Sequence, residues 1–373
     1  MKINIASFGG RSHLLDTARE LEKFGHEVRF YSYLPTKRAL KFGLKKECNY
    51  SYFFLALPFL VLFKLTGRAN WVTLLFHYSF DYLTAWLMKP CDIFIGQSPM
   101  HVYSLKYAKK KFRACIILER GTRHVNEQIK ALASNPALNG SPPTPEFFKK
   151  RDLKGYDLAD YVSVPSEIVK KSFLANNITE DKVFRNPYGV NLKEFKPTVF
   201  QPQNSYDLIM VGQWCYRKGC DLLIEVCKKE NFSLLHVGAI VDIPFPSQDV
   251  RFTHIDSVEQ QELINYYSKA KVFVLPSREE GLALVQPQAL VCGLPLICSQ
   301  YTGGRDLKDF LDDPRWIIEM EEYTLEELSN SIKKGLALAD KQIGLRSHIN
   351  DLSGLSWVSY GRRYNDFLNK IKK

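Results

Sequence analysis

A chain of 373 residues is too long for one comfortable core and predicts two domains of α/β size, while a hydrophobic share of 45% excludes a disordered chain. The formal net charge of +11 is unevenly placed: residues 1–200 carry +14 and residues 201–373 carry −3. That asymmetry predicts an anionic partner for the first half, and because no basic-aromatic nucleic-acid motif accompanies it, an anionic membrane surface or a pyrophosphate-linked acceptor is expected, not nucleic acid.

In chain order, residues 2–6 predict a buried strand that runs into Ser7-Phe8-Gly9-Gly10, then helical periodicity over 14–24, a Gly25-His26-Glu27 turn and a strand over 28–32. Two adjacent glycines let backbone N–H groups approach a phosphate at a helix N-terminus, although the same pair also suits a plain tight turn. His13 reads as a surface or capping residue. Residues 52–63 are the most hydrophobic run; interrupted by Pro58 and followed by Lys64, they are too short to cross a bilayer. Aromatic residues continue it to Met88 (Trp71, Phe76, Tyr78, Phe80, Tyr82, Trp86), with Lys37, Arg38, Lys41, Lys45 and Lys46 before it and Arg68 after it. Two readings stand side by side: a helical hairpin packed on the first sheet, and an interfacial helix dipping into lipid.

Strands are predicted over 92–97 and 114–118 with a helix over 100–111 between them, and the second strand runs into Glu119-Arg120-Gly121-Thr122-Arg123-His124. Turn residues dominate 134–145, which predicts a mobile loop over a cleft. A helix over 152–159 and a strand over 160–164 follow, with Ser166 as the next helix N-cap. The Pro/Gln/Asn/Ser-rich stretch 198–205 reads as a hinge. Beyond it, a strand over 207–212 leads to Gln213-Trp214-Cys215-Tyr216-Arg217-Lys218-Gly219, and strands follow over 233–237 and 250–255.

The densest stretch is 271–306. Residues 272–275 predict a strand buried on both faces; Arg278-Glu279-Glu280-Gly281 turns the chain; a helix is predicted from 282 to 291, ended by Gly293; and 296–298 is the next strand. Glu280 thus sits outside a strand's carboxyl end, where open α/β sheets bind phosphorylated ligands. Gln288 is expected two helical turns on, and Thr302-Gly303-Gly304 supplies further backbone N–H groups. Residues 357–373 predict a basic amphipathic helix. The cysteines (Cys48, Cys91, Cys115, Cys215, Cys220, Cys227, Cys292, Cys298) lie mostly in apolar runs without a C-x-x-C pair. They predict reduced core thiols of a cytoplasmic protein, and no signal peptide precedes the first strand.

The pattern Pro276-Ser277, Glu280-Gly281, Leu284-Val285, Ala289, Gly293, Pro295, three apolar residues, Ser299 and Gly303-Gly304 resembles the donor-site signature of the family-4 glycosyltransferases, enzymes of the GT-B fold. Three further stretches are similar to that family's motifs. Thr122-x-His124 looks like its acceptor-side loop, and Asn186-Pro187-Tyr188-Gly189-Val190-Asn191 with Phe195 and Pro197 like its domain-ending signature. Residues 212–219 look like its Gly-Arg-x4-Lys-Gly motif. Two positions depart from the family pattern: Gln288 stands where a second glutamate is usual, and Gln213 where an arginine is usual, with Arg217 as an extra cation.

The resemblance implies an α/β fold of two Rossmann-like domains facing across a cleft, with domains at 1–197 and 198–355 and a last helix, 356–373, returning to the first. It implies a retaining, metal-independent hexosyltransferase-type enzyme that needs no cofactor beyond its nucleotide-diphosphate sugar donor. A glycan or lipid-linked acceptor is expected, in bacterial-type surface polysaccharide or glycolipid assembly, at the inner face of the membrane. Glu280, His124 and Lys218 are the implied catalytic residues. Gly9, Gly10, Gln213, Arg217, Lys218, Glu280, Gly281, Leu282, Gln288, Gly303 and Gly304 would bind donor, and Arg120, Thr122, Arg123 and His124 would face the acceptor. The alternatives are a catalytically silent nucleotide-sugar-binding scaffold and a nucleotide-sugar 2-epimerase of the same fold.

Overall fold

The computed structural model describes all residues except 9–11, 68–69, 139–141, 201–204, 343, 347–350 and 373. In the first domain the order is β1 (Lys2–Ala6), α1 (His13–Lys23), β2 (Glu27–Ser32), α2 (Thr36–Lys41), β3 (Asn49–Ser51), α3 (Phe53–Thr66) and α4 (Asn70–Leu87). It continues with β4 (Ile93–Gln97), α5 (Tyr103–Phe112), β5 (Cys115–Glu119), α6 (Val125–Leu132), α7 (Glu146–Leu158), β6 (Tyr161–Val164), α8 (Glu167–Leu174) and β7 (Val183–Arg185). The second domain holds β8 (Tyr206–Val211), α9 (Cys220–Glu230), β9 (Leu234–Val237), β10 (Phe252–Ile255), α10 (Leu263–Tyr267) and β11 (Ala270–Leu275). Then come α11 (Val285–Val291), β12 (Leu296–Ser299), β13 (Ile317–Met320), α12 (Leu325–Ala339) and finally α13 (Trp357–Ile371).

The strands form two sheets, ordered β3-β2-β1-β4-β5-β6-β7 and β10-β9-β8-β11-β12-β13, with every pair parallel. Parallel strands need helices on both faces, which is why the central runs Ile93–Gln97 and Ala270–Leu275 are almost continuously apolar and buried. Strand order reverses between β1 and β4 and again between β8 and β11, the crevice positions at which such sheets bind ligands. The two domains meet near these crevices. A Cβ on Gly281, after β11, would collide with the carbonyl of Gly121, after β5, so the backbones approach as closely as only glycine allows.

The chain crosses between domains twice. Thr198 and Val199 leave the first domain beside Leu345 and Arg346, which return: Val199 and Leu345 form an antiparallel bridge, and Arg346 N donates to Thr198 O at 3.0 Å. α13 then packs on α1, with Tyr360 OH accepting from Thr17 Oγ1 at 3.2 Å and His26 Nε2 lying 2.9 Å from Asn365 Oδ1.

Several boundaries differ from the sequence expectation. The helix after Glu280 begins at Val285, not near 282, because Pro287 lacks an N–H and is tolerated only in a first turn; Gln288 therefore lies in that first turn as well. α7 starts at Glu146, directly after the stretch expected to be a loop and well before the helix expected from 152. The edge strands β3, β7 and β13 were too short to show a period. All eight cysteines are free thiols, seven of them buried.

The aromatic stretch is a helical hairpin. α3 and α4 pack one face on the first sheet through Phe59, Phe63, Phe76 and Phe80, whose rings meet at 4.6–5.1 Å (Phe76–Phe80 4.6 Å, Phe59–Phe76 5.0 Å, Phe63–Phe76 5.1 Å). Asp81, buried in α4, locks it in place. Its carboxylate accepts from the backbone N–H groups of Val102, Tyr103 and Ser104 at the start of α5 and pairs with Arg151 of α7 at 2.6 Å. Among the described residues no helix is long and apolar enough to cross a membrane.

Candidate active site

β8 ends at Val211, and the loop after it turns through Tyr216–Lys218 to start α9; β11, its parallel neighbour, ends at Leu275 and runs into Glu279-Glu280-Gly281. Two adjacent strand ends therefore bring Lys218 and Glu280 together, 62 positions apart in sequence. Lys218 Nζ donates to Glu280 Oε2 in an ion pair, and Arg217 Nη2 donates to the same oxygen at 3.1 Å. Burial alone would raise the Glu280 pKa, but Lys218 and Arg217 outweigh it and hold the carboxyl below its ordinary range. Two cations thus converge on one buried carboxylate, although Gln213 is exposed and hydrogen-bonds to nothing among the described residues.

Glu279, unremarked as a site residue in the sequence, is fully buried and turned the other way. It accepts from Arg217 Nη1 at 3.4 Å in its own domain, and from Arg123 N and Gln128 Nε2, both at 3.3 Å, in the first. The adjacency of two acids after a wholly apolar strand was the one signal for it. Tyr188 was also missed, and Glu119, noted in the sequence as a further charge at the strand end, turns out to sit beside it. The buried Tyr188 phenol is pushed far up by burial and by Glu119 and Glu280, and its ring packs at 4.5 Å on His13, whose Nε2 lies 3.2 Å from Glu119 Oε2. Tyr364 of the last helix donates to Glu119 Oε1 at 2.9 Å.

Gln288 is 5% exposed and its Oε1 has no hydrogen-bond partner, so a buried acceptor lies open beside the Glu280 loop. Leu282 is core. Gly281 and Gly303 pack backbone to backbone: a Cβ on Gly303 would meet the Gly281 carbonyl and Ser166. Gly304 N donates to Thr302 Oγ1 at 3.3 Å. Gly9 and Gly10 lie outside the described residues.

On the acceptor side the structure separates the expected residues. Arg120 is buried with its guanidinium taken up by Asp152 (2.7 Å), Gln128 (2.9 Å) and the Arg123 carbonyl (3.2 Å). His124 caps α6, its Nδ1 accepting from Asn126 N at 3.3 Å, with its ring against Tyr156 and Phe173. Burial and then Arg120 pull its pKa down to about 4. No contact joins it to Lys218 or Glu280; it lines a cavity of about 310 Å³ beside Asn126, Tyr156 and Asn176. Thr122 is half-buried. Of these four, Arg123 is the one that hydrogen-bonds to the second domain among the described residues, donating from Nη2 to Tyr301 O at 3.1 Å and lying 5.4 Å from the Tyr301 ring. It lines an interdomain cavity of about 720 Å³ together with Tyr301, Arg305, Lys308 and Glu319.

Residues 193–337 match the family described as glycosyl transferases group 1. That match begins just before the second domain and ends within α12. A curated relative from Methanocaldococcus jannaschii, an uncharacterized glycosyltransferase, is 23% identical over 166 residues, and that match spans 41% of this chain and 46% of the relative's length. Solved structures resemble the whole chain. The sucrose-phosphate synthase of Thermosynechococcus elongatus superposes with a TM-score of 0.67 at 16% identity, covering 99% of this chain and 98% of that one. Anabaena HepE in complex with UDP-glucose gives 0.60 at 13% identity over 99% and 100%. The α,α-trehalose 6-phosphate synthase of Burkholderia multivorans gives 0.60 at 10% identity over 100% and 98%. The fold is GT-B, and the Lys218–Glu280 pair lies in the part of the chain that matches the glycosyl transferase family.

Proposed function

We propose that this protein is a retaining glycosyltransferase that moves a sugar from a nucleotide-diphosphate donor to a hydroxyl of a glycan or lipid-linked acceptor, in surface polysaccharide or glycolipid assembly. The observation that carries the reading is the convergence of Lys218 and Arg217 on Glu280 at the ends of β8 and β11. A departing nucleoside diphosphate develops negative charge, and two cations fixed in a water-poor crevice stabilise it without proton transfer. This reading gives them the place a metal ion would otherwise take.

As the diphosphate enters, its oxygens replace Glu280 as the partners of Lys218 and Arg217. Glu280 is then released to accept hydrogen bonds from the sugar hydroxyls and to sit near the cationic sugar carbon in the transition state. Gln288 Oε1, buried and unpartnered, accepts from the ribose hydroxyls. Arg123, at the wall of the interdomain cavity, faces the acceptor. That HepE is seen with UDP-glucose supports a nucleotide sugar as donor here.

The silent-scaffold reading rested on glutamine at both Gln213 and Gln288 in place of charged residues; Arg217, drawn in beside Lys218, supplies the cation missing at the first and favours the enzyme. The test is release of nucleotide from UDP-, GDP- and CMP-sugars, followed with and without acceptor and with a chelator present. Turnover of one donor that survives chelation is the expected result. Donor binding without release from any of them would make the protein a scaffold and overturn the reading.

A further inference from the structure

The hairpin of α3 and α4 has two apolar faces and covers only one. Opposite the packed residues Phe59, Phe63, Phe76 and Phe80 runs a second stripe on each helix. On α3, Phe54 is 82% exposed, Val61 56% and Leu65 76%; on α4, Trp71 is 57%, Tyr82 50% and Trp86 79% exposed. These positions recur at helical spacing on one side of each helix, and together the stripes expose on the order of 1,000 Å² of apolar surface, beyond what a soluble monomer ordinarily shows. A helix that is apolar all round normally has apolar surroundings on all sides.

Charge decides what those surroundings are. Among the described residues of the hairpin the single acid, Asp81, is buried and committed to α5 and Arg151, so the exposed face carries no negative charge. Lysines border it. Lys64 is exposed near the end of α3. On α5, Tyr103 packs its ring on Tyr82 at 4.1 Å, and Lys106 and Lys110 are exposed one and two turns further along the same side. A second copy of the chain would set these lysines against identical lysines across a two-fold axis, which repels. Tryptophan and tyrosine stripes edged by lysine suit the boundary between lipid headgroups and acyl chains.

We infer that the outer face of α3 and α4 docks the first domain on an anionic lipid surface, with Phe54, Leu65, Trp71 and Trp86 entering the headgroup boundary and Lys64, Lys106 and Lys110 meeting lipid phosphate. This goes beyond the catalytic reading and does not depend on it.

The test is co-sedimentation with vesicles of phosphatidylcholine with and without phosphatidylglycerol, at low and at high salt, on the full chain. The wild type should sediment with the anionic vesicles and be released by salt. The combined variant Phe54→Ser, Leu65→Ser, Trp86→Ser changes three solvent-facing side chains, so its melting curve should match the wild type while its vesicle affinity falls by about a hundredfold or more. The combined Lys64→Glu, Lys106→Glu, Lys110→Glu variant should lose the preference for anionic vesicles. Wild-type protein that stays in the supernatant at low salt, or a serine variant that sediments as well as wild type, overturns the inference. So does a wild-type dimer in light scattering that the serine variant abolishes while vesicles are ignored. Nucleotide release, measured alongside, reports the catalytic reading separately.

Discussion

Lys218 and Glu280 form an ion pair whose side chains are only 9% and 10% exposed, at the point where β8 and β11 end side by side. A pair this buried is a lock made from the two residues that the proposed reaction needs apart. A phosphate group must displace the carboxylate before the carboxylate can take up the sugar, so donor binding and activation of Glu280 become a single event.

Lys218→Ala should therefore lower kcat by about 10²–10³-fold, the effect of removing one fixed donor from a developing anion. Lys218→Arg should recover part of it, because the charge is kept while the fork geometry changes. Steady-state nucleotide release on folded protein checks both, and wild-type turnover in Lys218→Ala would remove this lysine from the leaving-group site.

Gln288 offers a prediction in which binding and stability move in opposite directions. Its buried Oε1 is unsatisfied, so Gln288→Leu should leave the melting temperature unchanged or raised while weakening donor binding by about five- to tenfold, the worth of one hydrogen bond. Gln288→Glu should bind donor at least as well as wild type. Calorimetric titration and a thermal melt are sufficient; equal donor affinity in all three proteins would take the residue out of the site.

The domains are also held together away from the cleft. Asp306 Oδ2 accepts from the Glu167 backbone N–H at 2.6 Å and from Arg185 at 2.8 Å, so a carboxylate of the second domain caps α8 of the first. Ser166, at the N-cap position expected from sequence, turns its hydroxyl to the Gly281 carbonyl at 2.8 Å instead. Asp306→Ala should lower stability by about 1–2 kcal/mol through the lost cap, and Asp306→Asn by less because an amide oxygen still accepts. Denaturant unfolding measures this; an unchanged midpoint in Asp306→Ala would mean that the cap contributes nothing.

Four buried histidines set the acid limit. Burial holds His77, His101, His124 and His236 neutral, with pKa values pulled down to about 4. Above the unfolded value near 6.5 both states are neutral and nothing is lost. Between about 6.5 and 4 the unfolded chain takes up protons that the folded chain refuses, so each ring lowers stability by about 1.4 kcal/mol per pH unit. Melting temperatures should drop steeply from pH 6.5 to 4.5 and change little between 7 and 8. His101→Asn, with less to protonate on unfolding, should flatten the slope.

What the sequence disclosed follows from which signals are local. Buried parallel strands announce themselves as apolar runs, so β1, β4, β8, β11 and β12 were legible, as were Lys218 and Glu280, which sit in motifs fixed by backbone turns. Glu279 was not, because its role is to be met by Arg123 and Gln128 from more than 150 positions away. The start of α11 was misread since helix-forming residues at 282–284 outweighed Pro287 in a propensity reading, whereas the missing N–H decides in three dimensions. Arg120 and His124 were expected to face the acceptor, and Asp152 and Asn126, invisible as partners in the sequence, take them up.

The paired crossings of the chain between its domains limit how those domains can move. Thr198–Val199 going out and Leu345–Arg346 coming back are hydrogen-bonded to each other, and Gly189 lies so close to the returning backbone at Trp357 that a side chain there would collide. Two segments bound side by side resist sliding past one another and leave swinging about their common line as the easier motion. The natural opening of the cleft is then a swing about that line, like a book on its spine.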